Sequence, residues 1–280
     1  MKKNNLDLKG VIVPIVTPVD ENGGVDFDGL EKLADWLAGK GIQGIFAAGT
    51  TGRFSHFSPE QNAEICRAVS NAVKGRILVY GGGCDSGLHR ILANAERMKK
   101  AGADAVVATA PYYLSYSIEE AEADLEKIAE KSPLPVVYYN IPEFVGYGLR
   151  PEWLEMMADH PNAAGYKDSS NDLGHHLDVL KRTKGKDFDV LIGKELLLAQ
   201  AFKNGAKGLV VSFANAFPEP FVELCENADR LDWEAVDVCQ NRAADIVADF
   251  LSRRKGQVFS ALMHYLEGEL QNRGINIKLF

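Results

Sequence analysis

Residues 135–139, Pro-Val-Val-Tyr-Tyr, and residues 163–167, Ala-Ala-Gly-Tyr-Lys, decide the fold. Each is a short, nearly continuous run of strand-forming residues rather than an alternation of apolar and polar ones. That is the pattern of a parallel strand covered on both faces. Working outward, runs of the same kind recur at residues 11–16, 44–48, 77–81, 105–108, 190–192 and 208–211. Helical stretches lie between them, with stripes such as Leu30, Leu33, Trp36 and Leu37, or Ala63, Cys66, Ala68 and Val69, at three- and four-residue spacing. Boundary signals agree. Ser58-Pro59-Glu60 has the form of an N-cap followed by proline, Ser117 to Glu120 that of a capping box, and Gly39, Gly41 and Gly102 stop helices before the next strand.

Eight strand–helix units in this length predict an α/β fold, a closed (β/α)₈ TIM barrel. The runner-up is an open doubly wound sheet, weakened because no G-x-G-x-x-G follows the first strand. Residues 1–215 are expected to form the barrel and residues 216–280 a helical extension packed on it, with helices near 219–226, 233–253 and 256–271.

Composition limits the partners. With 25% charged residues and a formal charge of −8, the chain offers no general surface for nucleic acid or an anionic membrane. The first five residues, Met-Lys-Lys-Asn-Asn, lead into a run broken by Pro14 and Pro18, a poor signal peptide, and no stretch is long enough to span a bilayer. A cytoplasmic location is the expectation. Cys66, Cys84, Cys225 and Cys239 have no metal-type spacing and are expected as buried thiols. His160 and the pair His175-His176 have no ligand spacing either, so no metal is expected. The triplet Gly81–Gly83 lacks the lysine and hydroxyl residue of a phosphate loop.

In a barrel, reactive groups gather at the C-terminal ends of the strands. Those positions hold Gly49-Thr50-Thr51-Gly52, Pro111-Tyr112-Tyr113, Tyr139-Asn140, Tyr166-Lys167-Asp168 and Gly193-Lys194-Glu195. A buried lysine loses solvation in its charged form, so its neutral amine becomes a nucleophile towards carbonyls. The plain alternative pairs Lys167 with Asp168. Tyr139, one strand earlier, is a candidate general acid/base, and otherwise a rim aromatic. The turn at residues 49–52 can present N–H groups and two hydroxyls to a carboxylate, because glycine lets the backbone approach.

Taken in order, Gly49-Thr50-Thr51-Gly52, Pro111-Tyr112-Tyr113, Tyr139-Asn140-Ile141-Pro142 and Gly165-Tyr166-Lys167-Asp168 resemble the dihydrodipicolinate synthase/N-acetylneuraminate lyase family over essentially the whole chain. The resemblance implies a carbon–carbon lyase of the class I aldolase type, with Lys167 as Schiff-base lysine and Tyr139 as acid/base. It implies that Thr50 and Thr51 hold the keto-acid carboxylate or relay protons, and that Tyr113 is lent to a neighbouring subunit. A homotetramer built as a dimer of dimers follows, acting on a small 2-keto acid and an aldehyde without a cofactor. Two departures stand out. Glu143 and Phe144 follow Pro142, where synthases of the family carry an arginine for the semialdehyde carboxylate, and Arg53 stands where the family has glutamate. Glu195 and Ser212 match positions that contact sugar hydroxyls in N-acetylneuraminate lyases, and Gly193 beside them is expected to be substrate-binding. The expected reaction is therefore formation or cleavage of a 2-keto-3-deoxy sugar acid, with pyruvate on one side. The alternatives are a dihydrodipicolinate synthase or related dehydratase, and a non-catalytic keto-acid-binding protein.

Overall fold

The computed structural model describes residues 6–280; the leader reading of residues 1–5 lies outside the described residues. Among those described, eight parallel strands close into a barrel in sequence order. They are β1 (Gly10–Pro14), β2 (Gly44–Ala47), β3 (Leu78–Gly82), β4 (Ala105–Thr109), β5 (Val136–Asn140), β6 (Ala163–Asp168), β7 (Asp189–Ile192) and β8 (Gly208–Val210). This is the TIM barrel expected, and the open sheet is excluded because β8 pairs with β1. The seam carries an extra side-chain staple. Buried Asn215 accepts from Val16 N at 3.0 Å and donates to the Pro14 carbonyl at 2.9 Å.

Two apolar layers explain the uninterrupted strand sequences. Alternate strand residues point into the barrel, among them Ile12, Phe46, Tyr80, Val137 and Leu191. Their neighbours Val13, Ile45, Val136, Tyr138 and Val190 point outward against the helices. Period-two alternation therefore persists, but both faces are dry. The glycine triplet serves the same packing: a Cβ on Gly82 would lie 1.8 Å from the Ala48 carbonyl oxygen, so β3 passes β2 only as glycine.

Local signals hold. Ser58 and Gln61 form a reciprocal capping box, as do Ser117 and Glu120. Strands β3, β4, β5 and β6 each end one residue beyond the sequence estimate, which brings Asn140 and Asp168 into the ladder. After β8 come helices Pro218–Asp229, Trp233–Arg253 and Val258–Asn272. The first packs on β1, and so serves as the helix of the eighth barrel unit. All four cysteines are free and buried.

Candidate active site

Register places three side chains of adjacent strands in one row. Thr109 on β4 is level with Tyr139 on β5, and Tyr139 with Lys167 on β6. Thr109 ends β4 and Tyr139 is the last residue but one of β5; two residues before each, Val107 and Val137 also point inward, so the row forms the upper layer of the barrel interior. The Lys167 amine sits 3.7 Å from the centre of the Tyr139 ring and 5.4 Å from that of Phe46. Only 5% of Lys167 is exposed. Burial pushes its amine down to about 7, with nearby Lys194 adding to the fall and Glu195 opposing it.

Asp168 is not the partner of that amine. It projects to the other side of β6, where it accepts from Asn140 Nδ2 at 3.2 Å and Ser170 N at 2.9 Å, and lies 3.3 Å from His176 Nδ1. Burial alone would raise the Asp168 carboxyl; the bonds from His176 and Ser170 outweigh it and hold the group below its ordinary value. His175 bonds the Tyr166 hydroxyl at 2.8 Å. Both histidines thus brace β6 from a helix, Leu173–Arg182. Among the described residues no three His, Cys, Asp or Glu side chains are grouped to hold a metal ion.

Burial pushes the Tyr139 phenol up to about 12, while hydrogen bonds with the side chains of Thr50 and Ser169 act the other way. Thr50 is supplied by the turn after β2, which is fixed by Arg53 N donating to the Thr50 carbonyl and Thr17 Oγ1 donating to the Gly52 carbonyl. In the same turn Thr51 Oγ1 lies 2.9 Å from Ser212 Oγ at the end of β8. Glu195 follows β7; burial pushes its carboxyl up, and the backbone N–H of Ser212 acts the other way. Gly193 leaves room for the lysine stem: a Cβ there would lie 2.3 Å from Ser169 Oγ and 3.3 Å from Lys167 Cε.

The structure therefore gathers Lys167, Tyr139, Thr50, Thr51, Gly193, Glu195 and Ser212 around one mouth. Tyr113 stands apart; it is 92% exposed and has φ of 82°. Ser169 and Thr109 were not singled out from the sequence. For Ser169 a signal existed, since residue Lys167+2 of a strand faces the same way. Beside the row opens a cavity of about 380 Å³. Thr50 and Thr109 line it together with Arg53, Ser55, His56 and the apolar or aromatic Phe54, Tyr112, Ile141, Phe144, Val145 and Phe259.

A desolvated lysine lying against a buried phenol, at the C-terminal mouth of a (β/α)₈ barrel, places the protein among the pyruvate-dependent, Schiff-base aldolase-type carbon–carbon lyases. Residues 7–272 match the dihydrodipicolinate synthetase family, and the chain belongs to it. It is 33% identical over 235 residues to a 4-hydroxy-tetrahydrodipicolinate synthase of Pseudomonas aeruginosa, covering 84% of this chain and 80% of that one. Among solved structures, the dihydrodipicolinate synthase of Bacteroides thetaiotaomicron superposes with a TM-score of 0.90 at 31% identity, covering 99% of this chain and 92% of that one. The chloride-inhibited dihydrodipicolinate synthase of Acinetobacter baumannii, complexed with pyruvate, superposes with a TM-score of 0.85 at 26% identity, covering 96% and 99%. Among the described residues no helix is long and apolar enough to cross a membrane.

Proposed function

We propose that the chain is a class I aldolase that forms or cleaves 2-keto-3-deoxy sugar acids, holding pyruvate as an imine on Lys167. The observation that carries this reading is the Lys167 amine, buried against the Tyr139 ring and pushed down to about 7. Near neutral pH a large share of it is the free base. That amine adds to the C2 carbonyl of the keto acid. Tyr139, protonated at the outset, gives its proton to the carbinolamine hydroxyl as water leaves, and the iminium cation that forms stabilises the resulting phenolate. The phenolate then takes the C4 hydroxyl proton while the C3–C4 bond breaks, its electrons passing to the iminium to leave an enamine. Protonation at C3 and hydrolysis release pyruvate. Thr50 and Ser169 hold the phenol through these transfers, and N–H groups of the turn at residues 49–52 meet the carboxylate.

Glu195 and Ser212, on the β7–β8 side, are the groups proposed for the hydroxyls of the sugar chain. Tyr113, outward-facing, is proposed to serve a neighbouring subunit of a cytoplasmic homotetramer. A second reading, a synthase that joins pyruvate to an anionic semialdehyde, is favoured by the name of the Pseudomonas relative and by Arg53 in the cavity wall.

The test is borohydride trapping of pyruvate across a pH series, with intact mass and peptide mapping. One adduct is expected, on the peptide containing Lys167, formed faster as pH rises through about 7. Folded protein without an adduct would reject the imine. Pyruvate released from a sugar acid alone marks the aldolase; product formed only from pyruvate plus a semialdehyde marks the synthase.

A further inference from the structure

We infer that Asn140, Asp168 and His176 form a register clamp behind the imine site, three positioning residues that hold Lys167 against Tyr139. The inference rests on the proposed imine chemistry at Lys167 and adds residues that act on it without touching substrate.

The clamp is built from the sequence neighbours of the reacting pair. Asn140 follows Tyr139, Asp168 follows Lys167, and the two are level across the β5–β6 ladder. Successive strand residues face opposite ways, so Tyr139 and Lys167 meet inside the barrel while Asn140 and Asp168 meet behind it. There they share the face of Tyr138 and Tyr166, in the layer between strands and helices. Asn140 Nδ2 donates to Asp168 Oδ1 at 3.2 Å, and Asn140 Oδ1 accepts from Leu149 N at 3.0 Å. His176 Nδ1 lies 3.3 Å from Asp168 Oδ2; a carboxylate only accepts, so this nitrogen is the donor. Main-chain bonds extend the tie. Ser169 N donates to the Asn140 carbonyl at 2.9 Å, and Gly193 N, just past β7, donates to the Asp168 carbonyl at 2.7 Å. The residue after the lysine is thereby fastened to both neighbouring strand ends and to the helix Leu173–Arg182. The residue before it, Tyr166, is held by the adjacent histidine, His175.

Two further observations set this cluster apart from ordinary packing. It is a polar insertion in an apolar layer: Asn140, Asp168 and His176 are all fully buried, and His176 Nε2 has no hydrogen-bond partner among the described residues. Apolar side chains would fill that space with less loss of solvation. What such a buried network adds is the selection of one arrangement over its competitors. Register is also the property that needs selecting at this place. The β5–β6 pairing shifts between Val136 and Val137, so the lower ladder does not by itself set the upper one. A slip of one residue would turn Lys167 out of the barrel. The Asn140–Asp168 bond forms only where those two residues are level, which is also where Tyr139 faces Lys167.

The test is the rate of borohydride-trapped pyruvate adduct formation, followed across pyruvate concentrations in the wild type, His176→Leu and His176→Asn. Leucine removes the donor to Asp168; asparagine returns an N–H close to the place of Nδ1. His176→Leu should lower the maximal rate per folded molecule by about tenfold to a hundredfold, as for a misplacement of about 1 Å. The pyruvate concentration giving half that rate should stay near the wild-type value, because the turn at residues 49–52 is untouched. His176→Asn should recover most of the rate. Wild-type trapping together with an undiminished maximal rate in His176→Leu, or a loss that His176→Asn does not relieve, overturns the clamp and leaves the imine intact. Absence of an adduct on the folded wild type overturns the imine and this inference with it. Should His176→Leu fail to fold, Asp168→Asn, of almost the same shape, takes its place. It gives up the charged acceptor and should show the same fall at unchanged half-saturation; a wild-type rate there overturns the clamp.

Discussion

The interior of the barrel and the layer between strands and helices are both dry, and they use dryness for opposite purposes. In the outer layer, Leu125, Ile128, Val136 and Tyr138 are packed among apolar neighbours, and the return is stability. In the upper interior the same exclusion of water is spent on Lys167 and Tyr139, two polar groups each moved from ordinary values by burial. Adjacent residues make the point. Tyr138 packs edge-on against Trp153, with ring centres 5.0 Å apart, whereas Tyr139 faces the lysine. One step along a strand separates a packing residue from a candidate reagent.

Substitutions on either side should separate the two purposes. Lys167→Met, the largest effect expected, removes the nucleophile, so trapping and turnover fall to background. Its stability changes in a defined way. From pH about 7 to 10.5 the unfolded wild type binds a proton that the folded protein has released, so wild-type stability rises with pH across that window. The variant lacks this slope, as denaturant titrations at several pH values will show; an unchanged slope would mean the amine is not desolvated.

Tyr139→Phe comes next. It keeps the ring beside the lysine and removes the proton carrier, lowering kcat by about a hundredfold to ten-thousandfold. Single-turnover trapping should survive at a reduced rate, and near-normal turnover would assign the proton transfers elsewhere. The smallest effect on catalysis belongs to the outer layer. Leu125→Ala should cost about 2–5 kcal/mol of stability, measured by denaturant unfolding, with kcat unchanged for the molecules that remain folded. A large fall in kcat would show that the layers are coupled.

The two regions also differ in how readily the sequence reveals them. Outer and inner strand faces are written in continuous runs, so the barrel and the order of its strands were legible, to within a residue or two at each end. Lys167 was legible because a lysine closing an apolar strand is conspicuous. The cavity was not. Its wall is assembled from Phe54, Tyr112, Phe144 and Phe259, which lie on four segments far apart in the chain. No local periodicity records that meeting. Thr109 was hidden for a related reason: its place in the row beside Tyr139 is set by register with a neighbouring strand, and as a residue type threonine is simply a good strand former. Arg53 was visible as a departure from family pattern, but its place in the cavity wall and its contacts with the rings of Phe57 and Phe280 appear only in three dimensions.

The seam between β1 and β8 bears on how the chain comes to life. Asn140 and Asp168, on neighbouring strands, are 28 residues apart, whereas the Asn215–Pro14 staple spans 201. Loop-closure entropy sets that longer join behind the shorter ones by roughly 2 kcal/mol. On entropy alone, the ring is expected to close after the strand bearing Lys167 has met its neighbours. Until then water can reach the barrel's interior, and the lysine keeps the ordinary, protonated amine of any surface residue. On that order of events the lysine is expected to lose its water, and with it the ordinary affinity for a proton, in the step that closes the ring.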